Sequence, residues 1–173
     1  MEHLKKKTFI SVDLETLSTN QDAVILSIGA VKFTIDGGLG SEFLVNVEPS
    51  HQKIKYGLHV SNTTMEFWAK QPKEIRDSWK IDPQTLPIAL ITFGEWIGNM
   101  HNTLLIANGA VFDFGVLRSA YEAVGMVRPW PYWTELDLRT ISVLCDIKLS
   151  KGNEHTALGD AKNQAQQFIN LFK

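Results

Sequence analysis

The sequence predicts an α/β domain, and three observations carry that expectation. Near the front, Phe9–Thr16, Val24–Phe33 and Phe43–Val47 are runs rich in β-branched and aromatic residues joined by short connections, the pattern of an antiparallel meander. From Leu86 onward, helical periodicity alternates with one short apolar strand, Leu104–Ala107. With 173 residues and 44% hydrophobic content, the chain suffices for one well-buried core and not for two, so residues 1–173 are expected to form a single domain.

The first run, Phe9-Ile10-Ser11-Val12-Asp13-Leu14-Glu15-Thr16, reads as a buried strand ending in two carboxylates. Alternation puts Asp13 and Glu15 on one face. Two anions held side by side repel unless a cation lies between them, so a divalent metal is their natural partner; a solvated acidic turn is the plainer alternative. Asp36-Gly37-Gly38 marks a turn after the second run.

Pro49–Val60 has no clear period and is expected to be irregular. Ser61 to Thr64 offers an N-cap for a short helix carrying Met65, Phe67 and Trp68, which Pro72 interrupts; Lys73–Lys80 continues as a second helical piece. Leu86, Ala89, Leu90, Phe93 and Ile97 give Leu86–Met100 the spacing of a helix packed on a sheet. Asn108-Gly109 turns the chain, and a helix from Phe112 runs to a stop at Gly125. Pro129-Trp130-Pro131-Tyr132-Trp133 cannot be regular helix, Leu136–Cys145 is expected to be one, and Lys151-Gly152-Asn153 breaks it from a last helix, His155–Phe172. Leu158, Ala161, Ala165, Phe168 and Phe172 form the apolar stripe of that helix and Asp160 falls off it, facing a site or water.

Composition excludes several classes of function. Seventeen basic against nineteen acidic residues, a net charge of -2, rule out coating nucleic acid by bulk charge, so any such contact is local. A lone Cys145 excludes an intramolecular disulfide and a cysteine-rich zinc site and fits a reducing compartment. No apolar run approaches the ~20 residues of a membrane span, and a soluble, cytoplasmic protein is expected. The lack of a glycine-rich phosphate loop disfavours an ATPase or kinase.

Taken together, the acidic positions resemble the DEDD superfamily of 3'-to-5' exonucleases, in the branch whose last motif carries a histidine (DEDDh). The first motif is Asp13-Leu14-Glu15-Thr16. The second is similar to Asn108-Gly109-Ala110-Val111-Phe112-Asp113 followed by Leu117, and the third to His155-Thr156-Ala157-Leu158-Gly159-Asp160-Ala161. Within the superfamily, the Asn-Gly before Phe-Asp, the Phe67-Trp68 helix, and Pro129-Trp130 followed by Asp137-Leu138-Arg139-Thr140 resemble small phage-type and ribonuclease T-like enzymes. Proofreading members tend to carry His-Asn-Ala before that aromatic, and the histidine is absent here.

The resemblance implies a ribonuclease H-like mixed five-stranded sheet, an antiparallel meander followed by parallel strands, flanked by helices. It implies metal-dependent hydrolysis of single-stranded nucleic acid from the 3' end to nucleoside 5'-monophosphates, with DNA preferred over RNA. Asp13, Glu15, Asp113 and Asp160 would hold two Mg2+ or Mn2+ ions, with Asp13 shared between them, and His155 would take the proton from the attacking water. Thr16 and Leu17 would approach the terminal nucleotide. Met65 or Trp68 would offer an apolar surface to its base, with a core role for Trp68 equally open. Asn108 would approach the substrate or only complete a turn. For the Trp130, Tyr132 and Trp133 cluster, core packing or a subunit interface outweighs single-strand binding. The family also contains dimers, and a homodimer is compatible with the sequence. Two rival functions remain: an inactive nucleic-acid-binding module of the same fold, and a phosphohydrolase acting on free nucleotides.

Overall fold

The alternating stretch Thr8–Thr16 forms the middle strand of a five-stranded sheet in the computed structural model of this protein, which describes residues 2–150 and 155–172. Before it lies a one-turn helix, α1 (Glu2–Lys5), and Lys6 and Lys7 lead from it into the strand. The meander follows as β1 (Thr8–Thr16), β2 (Ile25–Thr34) and β3 (Gly38–Asn46), then the helices α2 (Pro49–Tyr56), α3 (Asn62–Ala69), α4 (Lys73–Ser78) and α5 (Leu86–Ile97). The second half is β4 (Thr103–Ala107), α6 (Ala110–Ala123), a 3-10 turn at Tyr132–Thr134, β5 (Glu135–Asp137), α7 (Leu138–Leu144) and α8 (Ala157–Phe172).

The strands lie in the order β3-β2-β1-β4-β5. β1 pairs antiparallel with β2, and β2 with β3; β4 is parallel to β1, and β5 to β4. This is the mixed, helix-flanked α/β sheet expected of a ribonuclease H-like fold.

Alternation along β1 divides the core in two. Ile10, Val12 and Leu14 face α5 and α6, packing with Leu90, Phe93, Phe114 and Leu117. Phe9 faces the other way, among Phe33, Ile106, Leu138 and the α8 residues Ala165, Phe168 and Ile169. Its ring lies 5.3 Å from that of Phe33 and 4.7 Å from that of Phe168. Side chains of this size each contribute about 1.5–3 kcal/mol when fully buried, so this trio secures α8 to the sheet.

Three elements differ from the sequence expectation. Pro49–Tyr56 is helix rather than irregular: Glu48 caps its start by accepting from the Ser50 N–H, and Gly57, at φ 67°, ends it. Its inward residue is polar, Gln52, whose amide satisfies both the N–H and the carbonyl of Ile25. The expected helix Leu136–Cys145 begins as the edge strand β5, which pairs with β4 before the chain turns helical at Leu138. The last helix starts at Ala157, and His155 precedes it with φ 43°. The expected break at Lys151-Gly152-Asn153 lies outside the described residues.

Gly29 sets how closely α8 approaches the sheet. It stands opposite Asp13 in the β1–β2 register, and a Cβ there would fall 2.1 Å from the carbonyl carbon of Ala157. The helix therefore starts against bare backbone. Gly29→Val is expected to push the start of α8 outward, costing about 1–3 kcal/mol in thermal unfolding and reducing divalent-metal binding together with it. An unchanged melting temperature would show that α8 does not depend on this contact.

Candidate active site

On the α8 face, β1 runs from apolar to acidic through Phe9, Ser11, Asp13 and Glu15. Pairing with β4 reaches only Ser11, opposite Ile106, so the C-terminal end of β1 has no strand beside it on that side. Asp113, in the first turn of α6, occupies the space. It is 5% exposed, and its Oδ1 accepts the N–H of Leu14 at 3.2 Å. From the other side, the first turn of α8 brings in Asp160. Asp13, Glu15 and Asp160 each place an oxygen within 4.8 Å of the others.

Gln164, one turn beyond Asp160, ties these parts together. Its Nε2 donates to Asp13 Oδ1 at 2.7 Å, and its Oε1 accepts from the Asn108 N–H at 3.2 Å and from Ser11 Oγ at 3.4 Å. A backbone N–H only donates, so the amide oxygen must face Asn108 and the amide N–H must face Asp13. One Asp13 oxygen is thereby anchored. A further acid, the half-buried Asp137, joins the starts of α6 and α7 by accepting from the N–H groups of Ala110 and Thr140 at 2.6 and 2.7 Å.

Burial first, and the crowding of carboxylates second, governs the electrostatics. Burial pushes the Asp13 carboxyl well above its ordinary range, and Asp113, Glu15 and Asp160 push it further. Burial and then Asp160 and Asp113 raise Glu15 to about 8. Burial raises Asp113 to about 7 against the opposing pull of the Leu14 N–H. A pocket that disfavours its own negative charges either holds protons or is neutralised by a cation. Hard carboxylate oxygens that converge so closely suit Mg2+ or Mn2+, so the donor set fits a divalent metal.

Two clefts meet at this cluster. The first, about 450 Å³, is lined by Glu15, Thr16, Thr64, Phe67, Trp68 and Phe112 among others. Thr16 Oγ1 donates to the Ser18 carbonyl at 2.7 Å, and the buried Trp68 indole N–H donates to the Thr16 carbonyl at 2.8 Å, so Trp68 serves as wall and as brace. Leu17 packs against the core, and Met65 is half-exposed on α3 outside the cleft lining, where Thr64 and Phe67 stand instead. The second cleft, about 500 Å³, is lined by Asp13, Asn108, Arg139, Lys148, His155 and Asp160 among others. His155 is exposed, and its ring lies edge-on to Phe67 with centroids 6.1 Å apart. Asn108 both completes the turn and lines this cleft, with its buried Oδ1 lacking a hydrogen-bond partner among the described residues. Trp130 is core, against Phe93, Phe114 and Tyr121, whereas Tyr132 and Trp133 are exposed.

A sheet of this order, with carboxylates gathered at the open end of its central strand, is the arrangement expected of DEDD-type 3'-5' exonuclease domains, a class of phosphodiester hydrolases. The family model of the 3'-5' exoribonuclease Rv2179c-like domain matches residues 8–172, and the chain belongs to that family. It is 28% identical over 174 residues to a DNA polymerase III PolC-type of Thermotoga petrophila, covering 94% of this chain and 12% of the polymerase. The chain thus spans only a small part of such relatives. Among solved structures, the nuclease domain of 3'hExo, a DEDDh family member bound to rAMP, superposes with a TM-score of 0.69 at 14% identity, covering 96% of this chain and 92% of that one. Exonuclease I of E. coli, in complex with a dA16 oligonucleotide, superposes with a TM-score of 0.69 at 14% identity, covering 93% and 40%. These two likenesses are of fold. No helix among the described residues is long and apolar enough to cross a membrane.

Proposed function

We propose that this chain removes nucleotides stepwise from the 3' end of single-stranded nucleic acid, releasing nucleoside 5'-monophosphates. The observation that carries the proposal is the convergence of Asp13, Glu15 and Asp160 within 4.8 Å beside the buried Asp113. These four residues would hold two Mg2+ or Mn2+ ions. Bound there, the ions supply positive charge to the attacking and leaving oxygens and acidify water.

The remaining work falls to the chain. His155, at the rim beside Asp160, accepts the proton of the attacking water; its exposure and its place in the cleft support that role. Gln164 keeps Asp13 in one orientation. The first cleft takes the 3'-terminal nucleoside, with Thr16 at its sugar and Phe67 and Trp68 beside its base, while Leu17 and Met65 stand outside its lining. Asn108 meets the substrate from the second cleft.

The family's description as an exoribonuclease supports RNA as a substrate, against the DNA preference that the phage-type likeness implies. That likeness rests on motif flanks such as Asn108-Gly109 and Pro129-Trp130, while the whole-chain match includes a polymerase. Both clefts and the acidic cluster are built from one chain, so the proposal calls on no homodimer.

The test is a matched pair of 5'-labelled RNA and DNA single strands, each incubated with Mg2+, Mn2+ or EDTA. A ladder shortening from the 3' end in either metal and arrested by EDTA is expected, with RNA shortened at least as fast as DNA. Intact strands in both metals would leave a binding module, and hydrolysis of free nucleotides alone would leave a phosphohydrolase.

A further inference from the structure

The two clefts differ in chemistry. The first has aromatic rings and hydroxyls; the second has amides and two cations, Arg139 and Lys148. Arg139, on the first turn of α7, is exposed, and its Nη2 donates to the Asn108 carbonyl at 3.2 Å. That anchor holds the guanidinium against the turn between β4 and α6, where a side chain on Gly109 would come within 3.7 Å of it. A guanidinium carries five N–H donors, and Arg139 spends one on this bond and makes no ion pair among the described residues. Its charge is felt by Asp113 and Asp137.

A chain of net charge -2 gives no bulk attraction to the phosphates of a strand, and away from the metal-holding cluster only a local cation on the protein supplies it. The first cleft, aromatic and without a cation in its lining among the described residues, suits a base and sugar. The rest of the strand must leave the site on the other side. Resting on the exonuclease proposal, we infer that the second cleft receives the backbone upstream of the scissile bond, with Arg139 gripping the phosphate on its 5' side. The planar fork of Arg139 matches the two non-bridging oxygens of a phosphodiester.

The experiment compares a 5'-labelled decamer with the p-nitrophenyl ester of thymidine 5'-monophosphate, which has a scissile phosphodiester and no upstream phosphate. For Arg139→Ala, KM for the decamer is expected to rise about tenfold with a much smaller change in kcat, a loss at least fivefold greater than that on the ester. The salt dependence of log kcat/KM on the decamer should lose about one unit of slope, and Arg139→Lys should restore that slope because it restores the charge. Equal losses on decamer and ester would mean that Arg139 only braces Asn108, overturning the inference, as would an unchanged decamer KM. A wild-type protein inert on both substrates with Mg2+ and Mn2+ would instead fail the exonuclease proposal itself, and this inference with it.

Discussion

Asp13→Asn is expected to abolish turnover, by ~10³-fold or more, and at the same time to make the metal-free protein harder to unfold. Asp13 is raised first by burial and then by three carboxylates, so its negative charge is opposed on every side except by the Gln164 N–H. An asparagine of the same shape keeps Oδ1 in place for that N–H and removes the charge. The sign of the pH effect follows. Glu15 rises from 4.5 to about 8 and Asp113 from 3.8 to about 7, so the folded chain binds protons that the unfolded chain has released. The stability they contribute is present in full below about pH 4 and is lost as pH climbs through 7 and 8. Melting temperature of the metal-free wild type should therefore fall from pH 5 to pH 9, by the equivalent of a few kcal/mol, and more gently in Asp13→Asn. Added Mg2+ should raise it most at the alkaline end, because the cation takes the place of the protons. A flat pH profile in the wild type, or a less stable Asp13→Asn, would mean that the carboxylates are not in mutual strain.

The parts legible in the sequence are those where one local pattern decides the structure. Alternation along Phe9–Thr16 fixes both the buried strand and the common face of Asp13 and Glu15, and the stripe through Ala161, Ala165 and Phe168 fixes the face that α8 turns to the sheet. What escaped was decided by tertiary partners. Helix α2 has no apolar stripe because its inward residue is Gln52, which answers the backbone of Ile25. Strand β5 is three residues long and exists through pairing with β4. Gln164 is one more polar side chain of the last helix until Asp13, Ser11 and Asn108 are seen around it, and Arg139 acquires meaning only beside the Asn108 carbonyl. The aromatic cluster divides: Trp130 donates its indole N–H to Glu135 and is buried, whereas its neighbours Tyr132 and Trp133 point outward.

His155→Ala is expected to lower kcat by about 10²- to 10⁴-fold while leaving the fold and the binding of Mn2+ nearly unchanged. The separation of these readouts follows from where the residue sits. His155 is exposed, precedes the first residue of α8, and contacts the rest of the site through the Phe67 ring, so truncating it opens no cavity in either half of the core. The four carboxylates are held by other means: Asp113 by Leu14, Asp13 by Gln164, Glu15 by the pairing of β1 with β2, and Asp160 by the docking of α8 over Gly29. The backbone at φ 43° is the one local complication, since alanine tolerates that region less well than histidine does. His155→Asn answers it, because asparagine visits the left-handed region readily and has no ring nitrogen to accept a proton. Both variants should therefore lose turnover alike and differ by about 1 kcal/mol or less in stability. If the asparagine variant retained turnover while the alanine variant lost it, backbone geometry rather than the imidazole would be what the reaction needs. If both retained it, the proton would have to leave the water by a route that does not pass through this ring.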